Sequence, residues 1–220
     1  MWSEQPKVLK YGRTGPLLGR VFLGISLENR AMQSPDLLAR VLRWTSSSLG
    51  VFDVLVGDFI HRHNRQALQG ETEEVATLAA MAAGAAAAQS IMDISISEGI
   101  GSVTILSCRP YYRQTTFLAR TSELRRQYDT RGDFAALVND AVDVFLQRKD
   151  ARKLNDAAAR YHCVAYQLEE LALFEALVRE GYSIHVYPGS HLPALKRIVT
   201  GELRGISSDL ERLGLFELKF

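Results

Sequence analysis

VFLGIS at residues 21–26 and VFDVLVGD at residues 51–58, joined by SPDLLARVLRW at residues 34–44, decide the fold. Each outer run is almost continuously apolar, as expected of a strand covered on both faces in a parallel sheet. The middle piece carries a helix start: Ser34 as cap, Pro35 at the first helical position and Asp36 in the first turn. Leu37, Leu38, Val41, Leu42 and Trp44 then recur at helical spacing, and the serines from Ser46 to Gly50 are expected to end the helix. Strand, helix and strand over residues 21–58 make a βαβ unit, with parallel strands and a right-handed crossover.

Working outward, residues 71–95 read as a long alanine-rich helix, with Ala80, Gly84 and Ala88 at every fourth position for close packing. Residues 102–108 read as a third strand, 134–147 and 155–180 as helices, and 182–187 as a fourth strand closed by a Pro188-Gly189 turn. The tail from Glu202 is expected to add a helix and a short strand over 215–220. Strands alternating with helices predict an α/β fold, a three-layer αβα Rossmann-like domain with a mostly parallel sheet. The expected organisation is a flexible segment over residues 1–20 and a single domain over 21–220.

With 220 residues, 47% of them hydrophobic and 23% charged, the chain can bury a sizeable core and is not of the disordered class. Lys plus Arg number 26 and Asp plus Glu 25, so bulk charge neither favours nor excludes a nucleic-acid partner. Cys108 and Cys163 form no Cys-x-x-Cys pair, which points to a reducing compartment and away from a zinc or dithiol site. Residues 1–20 lack the apolar run of a signal peptide, and a cytoplasmic protein is expected. The charge-free run at residues 75–92 is mostly alanine, contains Thr77, Gln89 and Ser90, and is flanked by Glu73, Glu74 and Asp93 without basic anchors. No membrane association is expected from it.

In open parallel sheets, ligands bind beyond the carboxyl ends of the strands. Ser26, Asp58 and Tyr187 all stand at such ends. No dinucleotide fingerprint, phosphate loop or Gly-x-Ser-x-Gly elbow is present, so Ser26 alone fits a cap as well as a nucleophile. Tyr166 and Glu170 lie four apart on one helix face, where a phenol and a carboxylate can cradle an ammonium group. His61 and His63 alternate across Arg62 and read as solvated loop residues; no metal spacing is seen, and neither metal nor cofactor is expected.

Taken together, these pieces resemble the cyclodipeptide synthases. The resemblance runs through Gly24-Ile25-Ser26 with Asn29, Leu42-Arg43-Trp44, residues 52–58, Phe134-Ala135-Ala136, Tyr166-x-x-x-Glu170-x-x-Leu173-Phe174 and Val186-Tyr187-Pro188. It implies a fold like the catalytic domain of tyrosyl- and tryptophanyl-tRNA synthetases, and the making of cyclic dipeptides from aminoacyl-tRNAs. Ser26 is then expected to take the aminoacyl group as an ester, Tyr166 and Glu170 to hold its ammonium, and Tyr187 to position it or relay protons. Phe22, Gly24, Leu55, Gly57, Leu173 and His185 are expected to line the first aminoacyl pocket, which Gly57 enlarges and His185 makes polar. A large or polar first amino acid follows. Asn29 belongs to the pattern of one subgroup of the family, and Tyr187-Pro188 to that of the other.

Many members bind tRNA with a basic helix after the second strand, but here no Lys or Arg lies between Arg65 and Arg109. Phosphate contacts dominate nucleic-acid affinity. The basic run Arg148, Lys149, Arg152 and Lys153, just before the helix of Tyr166, is therefore the expected tRNA footprint. Two other readings stay open: aminoacyl transfer through Ser26 to a different amine, and a non-catalytic homologue that binds a small molecule.

Overall fold

A computed structural model describes residues 5–13, 19–29, 32, 34–101 and 103–220. Six strands form one sheet: β1 Lys7–Tyr11, β2 Arg20–Ile25, β3 Phe52–Val56, β4 Thr104–Ser107, β5 Tyr182–Tyr187 and β6 Gly214–Lys219. Their order is β1-β6-β5-β2-β3-β4, with only β1 antiparallel to its neighbour. The chain moves one way from β2 through β3 to β4, then returns to place β5 on the other side of β2. That reversal creates a switch point between β2 and β5, where Leu23 is in register with both Val54 and Val186.

The βαβ reading holds. Helix α1, Pro35–Leu49, is capped by the Ser34 side chain and links β2 to β3. It runs through Ser46 to Leu49 before Gly50 stops it at φ 79°, because serines are tolerated in a helix whereas only the left-handed turn requires glycine. Helices α2 Arg62–Gln69 and α3 Glu73–Ser97 follow β3, then α4 Thr115–Thr130, α5 Gly132–Asp150, α6 Ala157–Arg179 and α7 Pro193–Val199. Two of these, α2 and α4, lack a clear apolar period and are not foreseen from the sequence. The helix expected after Glu202 lies earlier, at α7, and only a short 3-10 turn, Leu210–Arg212, precedes β6.

Strand side chains alternate between two cores, as the pleat requires. Val21, Leu23, Ile25 and Val54 pack with Val41, Leu42 and Ile91 against α1 and α3. Phe22 and Leu55 face the other way, into the core built by α4, α5, α6 and α7 around Phe134, Val138, Leu171 and Leu195. Part of the N-terminal segment expected to be flexible is a strand: Lys7–Tyr11 pairs with β6, where backbone groups otherwise left open at the sheet edge find partners. Residues 1–4 and 14–18 of that segment lie outside the described residues, as does residue 102 of the expected third strand.

The small-residue spacing on α3 holds at Ala80 and Gly84, which are buried, while Ala88 is half-buried. A Cβ on Gly84 would stand 2.3 Å from the Cβ of Asp58. Asp58 cannot yield, because its carboxylate accepts from the backbone N–H groups of Phe59 and Cys108 at 2.6 and 2.8 Å and from the Ser107 hydroxyl. It ties the ends of β3 and β4 together instead of facing a ligand. Gly84→Ala is expected to destabilise the fold by about 1–3 kcal/mol through overpacking, read as a lower urea midpoint at unchanged slope.

Candidate active site

Pleat parity puts Gly24, Ser26, His185 and Tyr187 on the same face of the sheet as Phe22. At the switch point this face opens into a cavity of about 830 Å³, lined from the loop after β2, α5, α6, β5, the loop after β5 and the start of α7. Ser26, Asn29, Arg148, Lys149, Tyr166, Glu170, His185 and Tyr187, all singled out in the sequence, line it together. Gly24, expected in the aminoacyl pocket, does not itself line the cavity but lies beneath His185: a Cβ there would come within 2.4 Å of His185 Nε2, so glycine is what lets the imidazole lie across β2.

The Ser26 hydroxyl stands beside the phenols of Tyr166, from α6, and Tyr187, from β5, and its nearness draws both pKa values down against the effect of burial. Tyr166 donates to Glu170 Oε1 at 3.5 Å, one helical turn along. Burial raises the Glu170 carboxyl to about 7, with the Tyr166 bond pulling weakly the other way. Burial, and then the nearby Glu170 charge, push both phenols above their ordinary value, so they remain protonated donors. The site thus holds a hydroxyl between two proton-bearing phenols, with a carboxyl poised at neutrality beneath. Asn29 Nδ2 donates to the Pro188 carbonyl at 2.9 Å, and its side chain also bonds Tyr187. The Asn of one subgroup pattern and the Tyr-Pro of the other are in direct contact.

The loop after Ser26 is held from outside. Lys149 on α5 reaches Glu28 at 2.6 Å through the carboxylate and 3.0 Å through the backbone carbonyl, and His61 Nδ1 lies 3.8 Å from the same carboxylate. Lys149 therefore fastens the Ser26 loop, while Arg148 beside it faces the cavity. Arg152 pairs with Asp150 and is 90% exposed, and Lys153 pairs with Asp156, both in the turn after α5. Of the four basic residues, Arg148 and Lys149 line the cavity, and Arg152 and Lys153 lie in the turn beyond them.

Phe22, Leu55, Gly57 and Leu173 do not line this cavity. Phe22, Leu55 and Leu173 are in the core behind it, where Phe22 stacks on His185 with centroids 4.4 Å apart. Gly57 follows the end of β3, its N–H donating to the Ile25 carbonyl at 3.0 Å. His185 meets His191 edge-on at 4.6 Å and Phe174 at 4.6 Å. Neither nitrogen of His185 has a hydrogen-bond partner, and burial, then His191, holds the ring well below its ordinary value and so neutral. His191, Phe174, Lys196 and Asp140 also line the cavity. Sequence reasoning passes over His191 because its partner Glu217, 3.5 Å away, comes from the distant strand β6.

The expectation for His61 and His63 is corrected: both are 7% exposed. His63 Nε2 lies 2.8 Å from Glu169, which Arg62 at 3.1 Å and the Tyr112 hydroxyl at 2.7 Å also contact. A polar segment can be buried when it supplies its own charge partners, and here they come from α6. The network anchors α2 to α6 one residue from Glu170. Among the described residues, no three His, Cys, Asp or Glu side chains are placed to hold a metal ion.

The family model described as cyclodipeptide synthase matches residues 19–204. No curated protein matches the sequence significantly. Among solved structures, a cyclodipeptide synthase from Fluoribacter dumoffii is 20% identical with TM-score 0.79, over 97% of this chain and 98% of that one. A Mycobacterium tuberculosis protein, described as demonstrating that cyclodipeptide synthetases are related to type I tRNA synthetases, is 17% identical with TM-score 0.71, over 99% and 95%. The cyclodipeptide synthase from Candidatus Glomeribacter gigasporarum, solved bound to Phe-tRNAPhe, is 15% identical with TM-score 0.61, over 91% and 87%. At these identities the structures bear on the fold.

Proposed function

Because the chain belongs to the cyclodipeptide synthase family, a family of enzymes, we propose that it condenses two aminoacyl groups from tRNA into a cyclic dipeptide through an ester on Ser26. The observation that carries this reading is that Ser26, Tyr166, Glu170 and Tyr187 line one cavity at the switch point of the sheet, with Tyr166 bonded to the buried Glu170. An aminoacyl ester is already activated, so the protein has chiefly to position it.

In the first step Ser26 Oγ attacks the aminoacyl carbonyl; the new C–O bond forms as the bond to the tRNA ribose oxygen breaks. The serine proton passes to that leaving oxygen through the phenols of Tyr187 or Tyr166. Ionised Glu170, with the Tyr166 oxygen, holds the ammonium of the bound group. A second aminoacyl-tRNA then offers its free amine to the Ser26 ester carbonyl, forming a peptide bond and releasing the serine. The dipeptidyl group, held by its ester to tRNA or returned to Ser26, closes when its own amine attacks the ester carbonyl. That closure frees the diketopiperazine and the alcohol.

The neutral, unpartnered His185 supports a large or polar first amino acid, since its nitrogens would otherwise be buried without bonds. Intact-protein mass spectrometry after mixing with a pool of charged tRNAs tests the reading. An aminoacyl mass increment identifies the first substrate, and cyclic dipeptide in the same tube identifies the reaction. An increment without cyclic product would point to another acceptor amine; neither would overturn the reading. Only small aliphatic increments would remove the role given to His185.

For the tRNA, we place the footprint at Arg148, which lines the cavity, with Arg152 and Lys153 in the turn that follows α5. Reversing Arg152 and Lys153 to Glu is expected to weaken tRNA binding about tenfold and to flatten its salt dependence. Filter binding across a salt series checks this, and unchanged affinity would move the footprint elsewhere.

A further inference from the structure

The hydroxyl of Ser26 is carried by a loop whose own bonds are long. It accepts from the Glu28 N–H at 3.4 Å, and the Ser26 carbonyl accepts from the Asn29 N–H at 3.1 Å. A loop held so loosely keeps a hydroxyl in line with a bound carbonyl only when something outside fixes it. Misplacement by about 1 Å can cost about 10²-fold in rate. Asn29 supplies one outside contact, to the Pro188 carbonyl, and Lys149 on α5 supplies the other. Lys149 Nζ lies 2.6 Å from Glu28 Oε2 and donates to the Glu28 backbone carbonyl at 3.0 Å, across 121 positions of the chain. An ammonium has three N–H donors, so most of its bonding capacity goes to this one residue. His61 Nδ1, from the turn after β3, stands 3.8 Å from the same carboxylate. The N–H of Glu28 is the group beside Ser26 Oγ, so a continuous chain of contacts runs from Lys149 through Glu28 to the reacting oxygen.

Lys149 belongs to the basic run expected to meet tRNA, but its setting differs from that of its neighbours. Its side chain is 17% exposed, against 90% for Arg152. Arg152 and Lys153 pair with Asp150 and Asp156 in their own turn, whereas Lys149 pairs with the loop of Ser26. Exposed pairs between near neighbours contribute little and give way readily to a phosphate. A shielded ammonium that turned to a phosphate would leave the half-buried Glu28 carboxylate without its main compensation.

We propose that Lys149 is a positioning residue for acylation: it holds Glu28, and through Glu28 the loop that aims Ser26 Oγ, and it adds nothing to tRNA affinity. This inference rests on the reading that Ser26 carries the aminoacyl ester. The two basic residues that line the cavity then divide the work. Arg148 faces the tRNA, and Lys149 faces the loop.

Single-turnover acylation, followed by intact-protein mass spectrometry at saturating aminoacyl-tRNA, separates the two roles when set beside filter binding. Lys149→Met should slow acylation at saturation by about 10²-fold. Lys149→Arg, which keeps charge and donors, should restore the rate to within about tenfold of wild type. Binding is measured in a Ser26→Ala background, where no turnover occurs. There Lys149→Met should leave the Kd within about twofold and the salt slope unchanged, whereas loss of a phosphate contact would reduce that slope by about one. Retained affinity also shows that the variant is folded. Lys149→Met with Glu28→Met should be about as slow as either change alone, because both break one chain of contacts. An unchanged acylation rate in Lys149→Met, additive losses in the double variant, or a weaker Kd with a smaller salt slope would each overturn the proposal. A wild-type protein that takes no aminoacyl increment would instead overturn the reading of Ser26 itself.

Discussion

Ser26→Ala is expected to abolish the aminoacyl increment on the intact protein and to lower cyclic dipeptide formation by at least ~10³-fold. The fold should be untouched. Ser26 follows β2 at a half-buried position, and the bond its hydroxyl accepts is a long one, from the Glu28 N–H at 3.4 Å. Removing a half-buried hydroxyl held by one long bond costs little stability. Because the nucleophile carries the first bond-making step, loss of the increment and loss of product should coincide. Product formation that persists in Ser26→Ala would mean direct attack of one aminoacyl-tRNA on another, with the cavity acting only as a template.

Glu170→Gln is expected to lower activity by about 10²–10⁴-fold and at the same time to stabilise the protein above neutral pH. A carboxyl lifted from 4.5 to about 7 by burial holds its proton more tightly folded than unfolded. The sign follows: its effect is absent below the unfolded value, grows as pH rises from 4.5 to 7, and then disfavours folding by up to about 3 kcal/mol. An amide of the same shape carries no such penalty, so the gain at pH 8 should be about 1–3 kcal/mol, and near zero at pH 4. The same group controls ammonium capture. In the wild type, kcat/KM should fall about tenfold per pH unit below 7, where Glu170 becomes neutral, and the amide variant should lose that inflection. Urea unfolding at pH 4 and 8, beside pH–rate profiles, reads both effects. A variant that is less stable at pH 8 would show that the carboxylate is already compensated within the folded protein.

The sheet was legible because burial on both faces leaves a plain signature in sequence. The apolar runs of β2, β3 and β5 are read correctly to within one or two residues at their ends, and the capped start of α1 falls at Ser34. The helices α2 and α4 were not. The buried polar residues of α2 are stabilised by Glu169 and Tyr112, far away in the chain, and that compensation has no local trace. Lys7–Tyr11 likewise owes its strand form to β6 at the opposite end of the sequence.

For the site, the sequence alone determined which groups stand at strand ends and on one helix face: Ser26, Tyr187, Tyr166 and Glu170. Periodicity is a local property, and an i,i+4 pair or a pleat parity needs no knowledge of the rest of the chain. Only the tertiary structure decided that these four meet in one cavity. It likewise revealed that Lys149 clamps Glu28 and that His185 lies over Gly24 with His191 beside it. Those contacts join residues far apart in the chain. Burial, which sets the protonation of Glu170 and His185, depends on everything packed around them and is written in no single stretch of sequence.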